Sequence, residues 1–347
     1  MSPTPRLDSA GMWEAACAWP EGLTEAYGAA RRVFGSAGVA AADEPIQAVV
    51  AFGLGTGGAA CDATAALTAG QLAVPFVTCH DSLVPTFVGP DCLVVVVACG
   101  DSPETVAAAR QSEARGARVI GIGNDLELAR LVAGAGIPWC EVGAEGARGR
   151  AGFGPATVSL LGALSAAGLL PDWSAEVSAA AGFVARRRDA FVAEKGNAAE
   201  LARRIGRTIP LVYGSSGLAA VAARWWKSCV NLNAKSPAFA AELPGLTYDE
   251  LAGWGQGGDI TRQTMTLVFL RHDREPSAVP ALFESVRAAT EEVMADVLDV
   301  WADSRHDLGR LFELALLGEL VSLEMAAREG VDPGPVPAVE EAHFAQR

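Results

Sequence analysis

The residues best suited to chemistry lie in one run, Arg224-Trp225-Trp226-Lys227-Ser228-Cys229-Val230-Asn231-Leu232-Asn233-Ala234-Lys235-Ser236-Pro237-Ala238-Phe239, followed by Leu243-Pro244-Gly245-Leu246-Thr247-Tyr248-Asp249-Glu250-Leu251-Ala252-Gly253-Trp254. Two amides and an ammonium at a helix end, then a proline-bounded loop of hydroxyl and carboxyl groups, are costly to bury without hydrogen-bond partners. The run therefore predicts a polar site near 231–250. At the C-terminal end of a helix, Lys235 could equally neutralise the helix dipole.

Two glycine turns are the other candidates. Gly53-Leu54-Gly55-Thr56-Gly57-Gly58 would let backbone N–H groups approach an anion at a helix N-terminus. Its spacing is not that of a dinucleotide fingerprint, and the next strand, Val74-Pro75-Phe76-Val77-Thr78, does not end in an acidic ribose partner. A phosphate monoester needs no such partner, and a tight strand-to-helix turn with no ligand would use the same glycines. The turn Gly100–Thr105 offers the hydroxyls of Ser102 and Thr105, although Ser102 and Glu104 also suit a helix cap. The four histidines, 80, 272, 306 and 343, are scattered without a metal-ligand spacing, so no metal or cofactor is expected. His272, inside Arg271–Glu275, reads as a solvated turn residue.

Parallel sheets must position these groups. Ala48–Phe52, Pro75–Cys79, Leu93–Cys99, Val119–Gly123 and Ile137–Val142 are apolar runs alternating with helical stretches, which predicts five strands in a doubly wound α/β unit covered on both faces. After helical residues 153–191, Ile209–Tyr213 leads into Gly214-Ser215-Ser216-Gly217 and an apolar helix over 218–230, the same layout again. A strand at Met265–Leu270, a helix over 281–302 and a long helix from Asp307 to about Glu329 complete the second copy. That last helix, interrupted by Glu313, Glu319 and Glu324, is apolar enough to pack between halves or against another subunit. The expected organisation is an N-terminal helical segment (1–44), a first subdomain (45–150), linking helices (151–204), a second subdomain (205–302) and a C-terminal helix and tail (303–347).

Composition narrows the function classes. The chain has 347 residues, half of them apolar and 20% charged, which excludes disorder as the overall state. Its net charge of −14 disfavours nucleic acid and anionic membranes as partners. The uncharged stretch Ala151–Pro171, broken by glycine and proline, is too short to span a bilayer. Residues 1–10 lack the charged-then-apolar pattern of a secretion signal. Seven cysteines without a Cys-x-x-Cys pair suit reduced thiols, so a cytoplasmic location is expected.

The run at 224–254 resembles the bifunctional phosphoglucose/phosphomannose isomerases of the sugar isomerase (SIS) fold, whose pattern runs Arg-Trp-Lys, Asn-Glu-Asn-Ala-Lys-x-Pro-Ala-Phe, then Pro-Glu-x-x-His-Asn-Glu-x-x-Gly-Trp. The resemblance extends to both glycine turns and to the tail Gly330–Pro337. It implies a homodimer acting on a phosphorylated sugar through proton transfer between C1 and C2, which needs a base, a ring-opening acid and a cation. Carried over residue by residue, the base position holds Leu232. The ring-opening histidine, from the neighbouring subunit, becomes Tyr248. The family's late lysine falls at His343 and an arginine at Arg150. The phosphate-loop serines become Gly57, Val97 and Cys99, leaving Thr56, Ser102 and Thr105. The resemblance implies a phosphosugar held by Gly55, Thr56, Gly57, Gly58, Ser102, Thr105, Asn231 and Lys235. Three functions remain open: a binding protein with a regulatory or partner role and little isomerase activity, an active isomerase using Asp249 or Glu250 as substitute base, and a structural dimerisation module.

Overall fold

The computed structural model describes residues 7–39, 45–100, 102–142, 146–193 and 196–344. The chain divides into two units, Ala18–Phe183 and Met1–Cys17 with Val184–Arg347.

The first unit opens with α1 (Met12–Ser36), which starts in the other unit's terminal segment. Then follow β1 (Ala48–Gly53), α2 (Gly55–Thr68), β2 (Phe76–Cys79), β3 (Cys92–Ala98), α3 (Pro103–Ala114), β4 (Arg118–Gly123), α4 (Leu126–Ala135), β5 (Trp139–Glu141), α5 (Phe153–Ala166) and α6 (Ser174–Val192), the last running into the other unit. The five strands are parallel in the order β2-β1-β3-β4-β5. Every residue of β3, Cys-Leu-Val-Val-Val-Val-Ala, is buried, as a central parallel strand covered on both faces requires. Within this unit α1 seats on α5 through glycines: a Cβ at Gly154 would stand 2.3 Å from Trp19, and one at Gly162 would stand 2.7 Å from the Tyr27 carbonyl.

The second unit contains α7 (Asn197–Ile205), β6 (Ile209–Ser215), α8 (Leu218–Asn233), β7 (Phe239–Leu243), α9 (Gly258–Thr264), β8 (Met265–Arg271), α10 (Val279–Thr290), β9 (Asp296–Trp301), α11 (Asp307–Glu329) and α12 (Pro337–Phe344). Its parallel sheet has the order β7-β6-β8-β9, the first sheet's order without a fifth strand. The internal repeat expected from the two glycine turns is therefore present in topology.

Two expectations are corrected, and the last helix is seen to pack on helices of its own unit. The helix expected over 281–302 ends at Thr290, and Asp296–Trp301 forms edge strand β9. Asp296 and Asp299 stand three apart, a spacing that a helix also allows, but Leu298 and Val300 are buried while Asp299 and Trp301 are exposed, the period-2 burial of an edge strand. The last helix, α11, packs against α8 and α7. The Trp226 indole N–H donates to the Leu314 carbonyl at 2.7 Å, and Gly318 lies under that ring, where a Cβ would be 2.2 Å from Cδ1. The interrupting Glu313 is buried and accepts from Arg187 Nε at 2.5 Å and from the Asp303 N–H at 2.8 Å. Second, His272 is 6% exposed, not solvated. Each charge around it has a partner: Arg271 is bidentate to Glu275 and stacked on Phe283 and Trp301, while Arg310 bridges Asp273 and Asp307. Among the described residues no helix is long and apolar enough to cross a membrane.

Candidate functional site

In the first sheet the connection after β1 leads to β2 on one side and that after β3 leads to β4 on the other, so the C-terminal ends of β1 and β3 form a switch point. Open parallel sheets bind ligands at such points. Here lie the starts of α2 and α3. The residue before α2, Leu54, supplies no side-chain cap, so the first N–H groups of α2 are not occupied by a cap.

The glycines are partly explained by packing. A Cβ at Gly53 would sit 2.6 Å from the Gly57 carbonyl carbon, one at Gly57 2.2 Å from the Val97 oxygen, and one at Gly58 2.6 Å from the Gly53 oxygen. Gly55 has φ +53° and open space around it. Thr56 is buried, and its hydroxyl donates to the Arg150 carbonyl at 3.3 Å, which brings the half-buried Arg150 to this edge. Ser102 precedes α3 but does not cap it: its hydroxyl and that of Thr105 bond one another at 2.6 Å. Its N–H donates to Asp125 at 3.0 Å. Asp125 was not among the expected residues, although an Asp between strand β4 and an apolar helical stretch is a cap signal. Burial pushes the Cys99 thiol up to about 12.

In the second unit the motif residues separate into two groups. Asn231, Leu232 and Asn233 form the last turn of α8, whose helix starts at the C-terminal edge of the sheet and ends at the opposite edge. The Asn231 amide donates to the Ser236 carbonyl at 2.8 Å, and Asn233, 3% exposed, donates to Ser322 on α11 at 2.9 Å. Lys235, at φ +53°, donates to the Leu232 carbonyl and to the Pro333 carbonyl at 3.2 Å. Its ammonium thus sits at the negative end of α8. Leu232 is half-buried.

Tyr248, Asp249 and Glu250 instead follow β7, at its C-terminal end. Five residues of strand lie between the groups, about 17 Å at the usual rise. One chain therefore does not bring Asn231 and Lys235 together with Tyr248. Tyr248 is 88% exposed. Asp249 accepts the Glu250 N–H at 2.6 Å. Glu250 accepts the hydroxyl proton of Tyr213, a 1% exposed phenol pushed up by its burial and by the carboxylate facing it. With Leu246, Leu251 and Trp254 in the apolar cluster around Phe269, this contact anchors the segment that displays Tyr248. His343 lies on α12, and its side chain is outside the described residues.

The chain is similar to known proteins over most of its length. Residues 194–343 match the family described as the bacterial phospho-glucose isomerase C-terminal SIS domain. The chain is 25% identical over 335 residues to a bifunctional phosphoglucose/phosphomannose isomerase of Caldicellulosiruptor bescii, covering 95% of this chain and 97% of the relative. It is 24% identical over 270 residues to the protein of the same description from Thermoplasma acidophilum, covering 78% and 81%. Its fold is shared with the C-terminal domain of glucosamine-fructose-6-phosphate aminotransferase from Francisella tularensis, with a TM-score of 0.67, 13% identity and coverage of 92% and 96%.

Proposed function

We propose that this protein binds a phosphorylated sugar, with the phosphate received by the N-termini of α2 and α3, and that it has lost most or all isomerase turnover in favour of a regulatory or partner role. The observation that carries this reading is Leu232. In the last turn of α8, where the resembling family places its carboxylate base, the chain holds an aliphatic side chain that accepts no proton. Uncapped N–H groups at the α2 start, with the hydroxyls of Ser102 and Thr105 nearby, support retention of anion binding.

Of the substitute bases, Glu250 is engaged by Tyr213, which leaves Asp249 for an active isomerase. The separation of Asn231 and Lys235 from Tyr248 along β7 supports a homodimer, in which Tyr248 of one copy serves the other. β7 is an edge strand, and Phe239 on it is 54% exposed.

Interconversion of glucose, mannose and fructose 6-phosphates, measured beside calorimetric binding, tests the reading. Binding without turnover is expected, because loss of a general base costs about 10²–10⁴-fold. Turnover at a rate usual for such isomerases, abolished by Asp249→Asn, would replace it with the isomerase reading. Absence of binding would leave only a structural module. Leu232→Glu restores turnover if the remaining groups are competent.

A further inference from the structure

The second sheet has a switch point of its own. From β6 the chain crosses to β7 on one side and from β8 to β9 on the other, so the C-terminal ends of β6 and β8 flank a crevice of the kind where open parallel sheets bind ligands. The helix that starts there, α8, has no side-chain cap, and its first turn is buried: Leu218, Ala219 and Ala220 are 9%, 0% and 2% exposed. Its first ladder bond runs from the Val221 N–H to the Gly217 carbonyl at 3.1 Å, which leaves the preceding N–H groups outside the helix ladder. Two buried side chains stand at the same strand ends. Gly214 pairs with Leu270, and Ser215 and His272 follow within two residues of that pair. Ser215 is fully buried and His272 is 6% exposed, yet neither the Ser215 hydroxyl nor His272 Nε2 has a hydrogen-bond partner among the described residues. The Arg274 N–H donates to His272 Nδ1 at 3.2 Å, so the neutral ring carries its proton on Nε2 as a donor. Helix α8 covers the Gly214 face of the sheet, where a Cβ at Gly214 would stand 2.3 Å from the Ala219 oxygen. Strand alternation carries His272 onto that face, beside α11, whose Arg310 acts on it.

We propose that the turn at 214–217, the start of α8 and His272 form an anion site in the second unit that takes a phosphate group, free or at the end of a monoester. Buried donors from three chain segments then share one acceptor. A tetrahedral oxyanion offers an oxygen to each of them, the α8 N–H groups, the Ser215 hydroxyl and His272 Nε2–H, where a planar carboxylate offers two. Around His272, Arg271, Arg274 and Arg310 match Asp273, Glu275 and Asp307 in number, so no net negative charge stands against an anion. The inference does not depend on what the first-sheet turns bind.

The test titrates the full-length protein at about pH 7.5, where the His272 ring is neutral, with sodium phosphate and with sodium chloride at equal ionic strength. Proton–nitrogen NMR of the histidine rings and calorimetric unfolding are the readouts. The His272 Nε2–H signal, identified by its slow exchange and by its loss in His272→Phe, should shift to saturation with phosphate and stay in place with chloride. Ser215→Ala should raise the half-saturating phosphate concentration about tenfold. In chloride the same variant should unfold no earlier than wild type, because it deletes an unpaired buried hydroxyl. Glucose 6-phosphate, titrated in parallel, separates the sources: half-saturation of the His272 signal at a lower concentration than with inorganic phosphate assigns a monoester, and the reverse assigns the free ion. A signal unmoved by both, or moved equally by chloride, overturns the inference and leaves the phosphosugar reading of the first unit to its own test. A Ser215→Ala protein with the wild-type phosphate response, or one destabilised equally in chloride and phosphate, overturns it too, and this arm needs no folded His272→Phe.

Discussion

Returning a serine to the first glycine turn, as Gly57→Ser, should damage the protein and not repair its phosphate loop. The new Cβ would stand 2.2 Å from the Val97 oxygen and 2.9 Å from its carbonyl carbon. Ordinary contact begins near 3.4 Å, so α2 would have to retreat from β3 by about 1 Å at this point. Both obstructing atoms are backbone, and no rotamer relieves them. Thr56, Gly58, Ala60, Cys61, Ala63 and Thr64 are buried along the same helix, so the retreat loosens a whole seam. Overpacking of this kind costs about 1–3 kcal/mol, and the rigid obstruction argues for the upper half of that range. For a unit of this size 1 kcal/mol moves the unfolding temperature by about 2–4 °C, so a drop of roughly 4–12 °C is expected in a calorimetric scan. Glucose 6-phosphate should bind more weakly, because the N–H groups of α2 move with it. Gly55→Ala is the control: it meets nothing within 4 Å and is strained only by its φ of +53°, at about 1–2 kcal/mol. An unfolding temperature within about 1 °C of wild type, or tighter binding by Gly57→Ser, would refute the packing argument.

Two other outcomes follow from buried titratable groups. Burial holds His272 below its ordinary pKa, with Arg310 adding to the effect. The folded state then takes up its proton less readily than the unfolded chain, so stability is whole above the unfolded value of about 6.5 and declines as pH falls below it, by at most about 1.4 kcal/mol per pH unit. His272→Gln should flatten denaturant-derived stability against pH in that window, and an unchanged slope would show that other groups account for it. Tyr213→Phe leaves the Glu250 carboxylate without its hydroxyl donor, at about 1–3 kcal/mol. Limited proteolysis should then nick residues 245–254 faster, and cleavage at the wild-type rate would show that Glu250 is not the anchor of that segment.

The central strands of the first sheet, β1, β3 and β4, were legible because each is a largely apolar run ending at or near a glycine, and burial on both faces imposes that pattern locally. β9 was not, because its carboxylates, Asp296 and Asp299, keep a three-residue spacing that continues the charged texture of the preceding helix without a glycine or proline between them. β7 was hidden inside the chemical motif, where Phe239–Leu243 read as part of a polar loop. His272 was misread because Arg-His-Asp-Arg-Glu looks solvated residue by residue, whereas its burial depends on Arg310, 38 positions later, which neutralises Asp273. At the candidate site, residue types singled out the segments. The spacing along the chain did not reveal that β7 carries Tyr248 away from Lys235, or that Tyr213 engages Glu250, because both depend on the direction of one strand. Asp125 escaped for a related reason: its second contact, to Ser102, crosses between neighbouring strands.

The seat of Trp226 on Gly318 has a consequence for how this sequence can change over generations. The ring fills the space that any side chain at 318 would need, and its N–H is fixed to the Leu314 carbonyl on the same helix. A larger residue at 318 with Trp226 retained passes through a clash, and a smaller residue at 226 with Gly318 retained passes through a void. The two positions are locked as a pair across 92 intervening steps of sequence, so a lineage can leave this state only by a double change or by tolerating an unstable intermediate. Because α8 also carries Asn231, Leu232 and the approach to Lys235, drift in those candidate positions takes place on a helix whose register is held by a partner it cannot easily exchange.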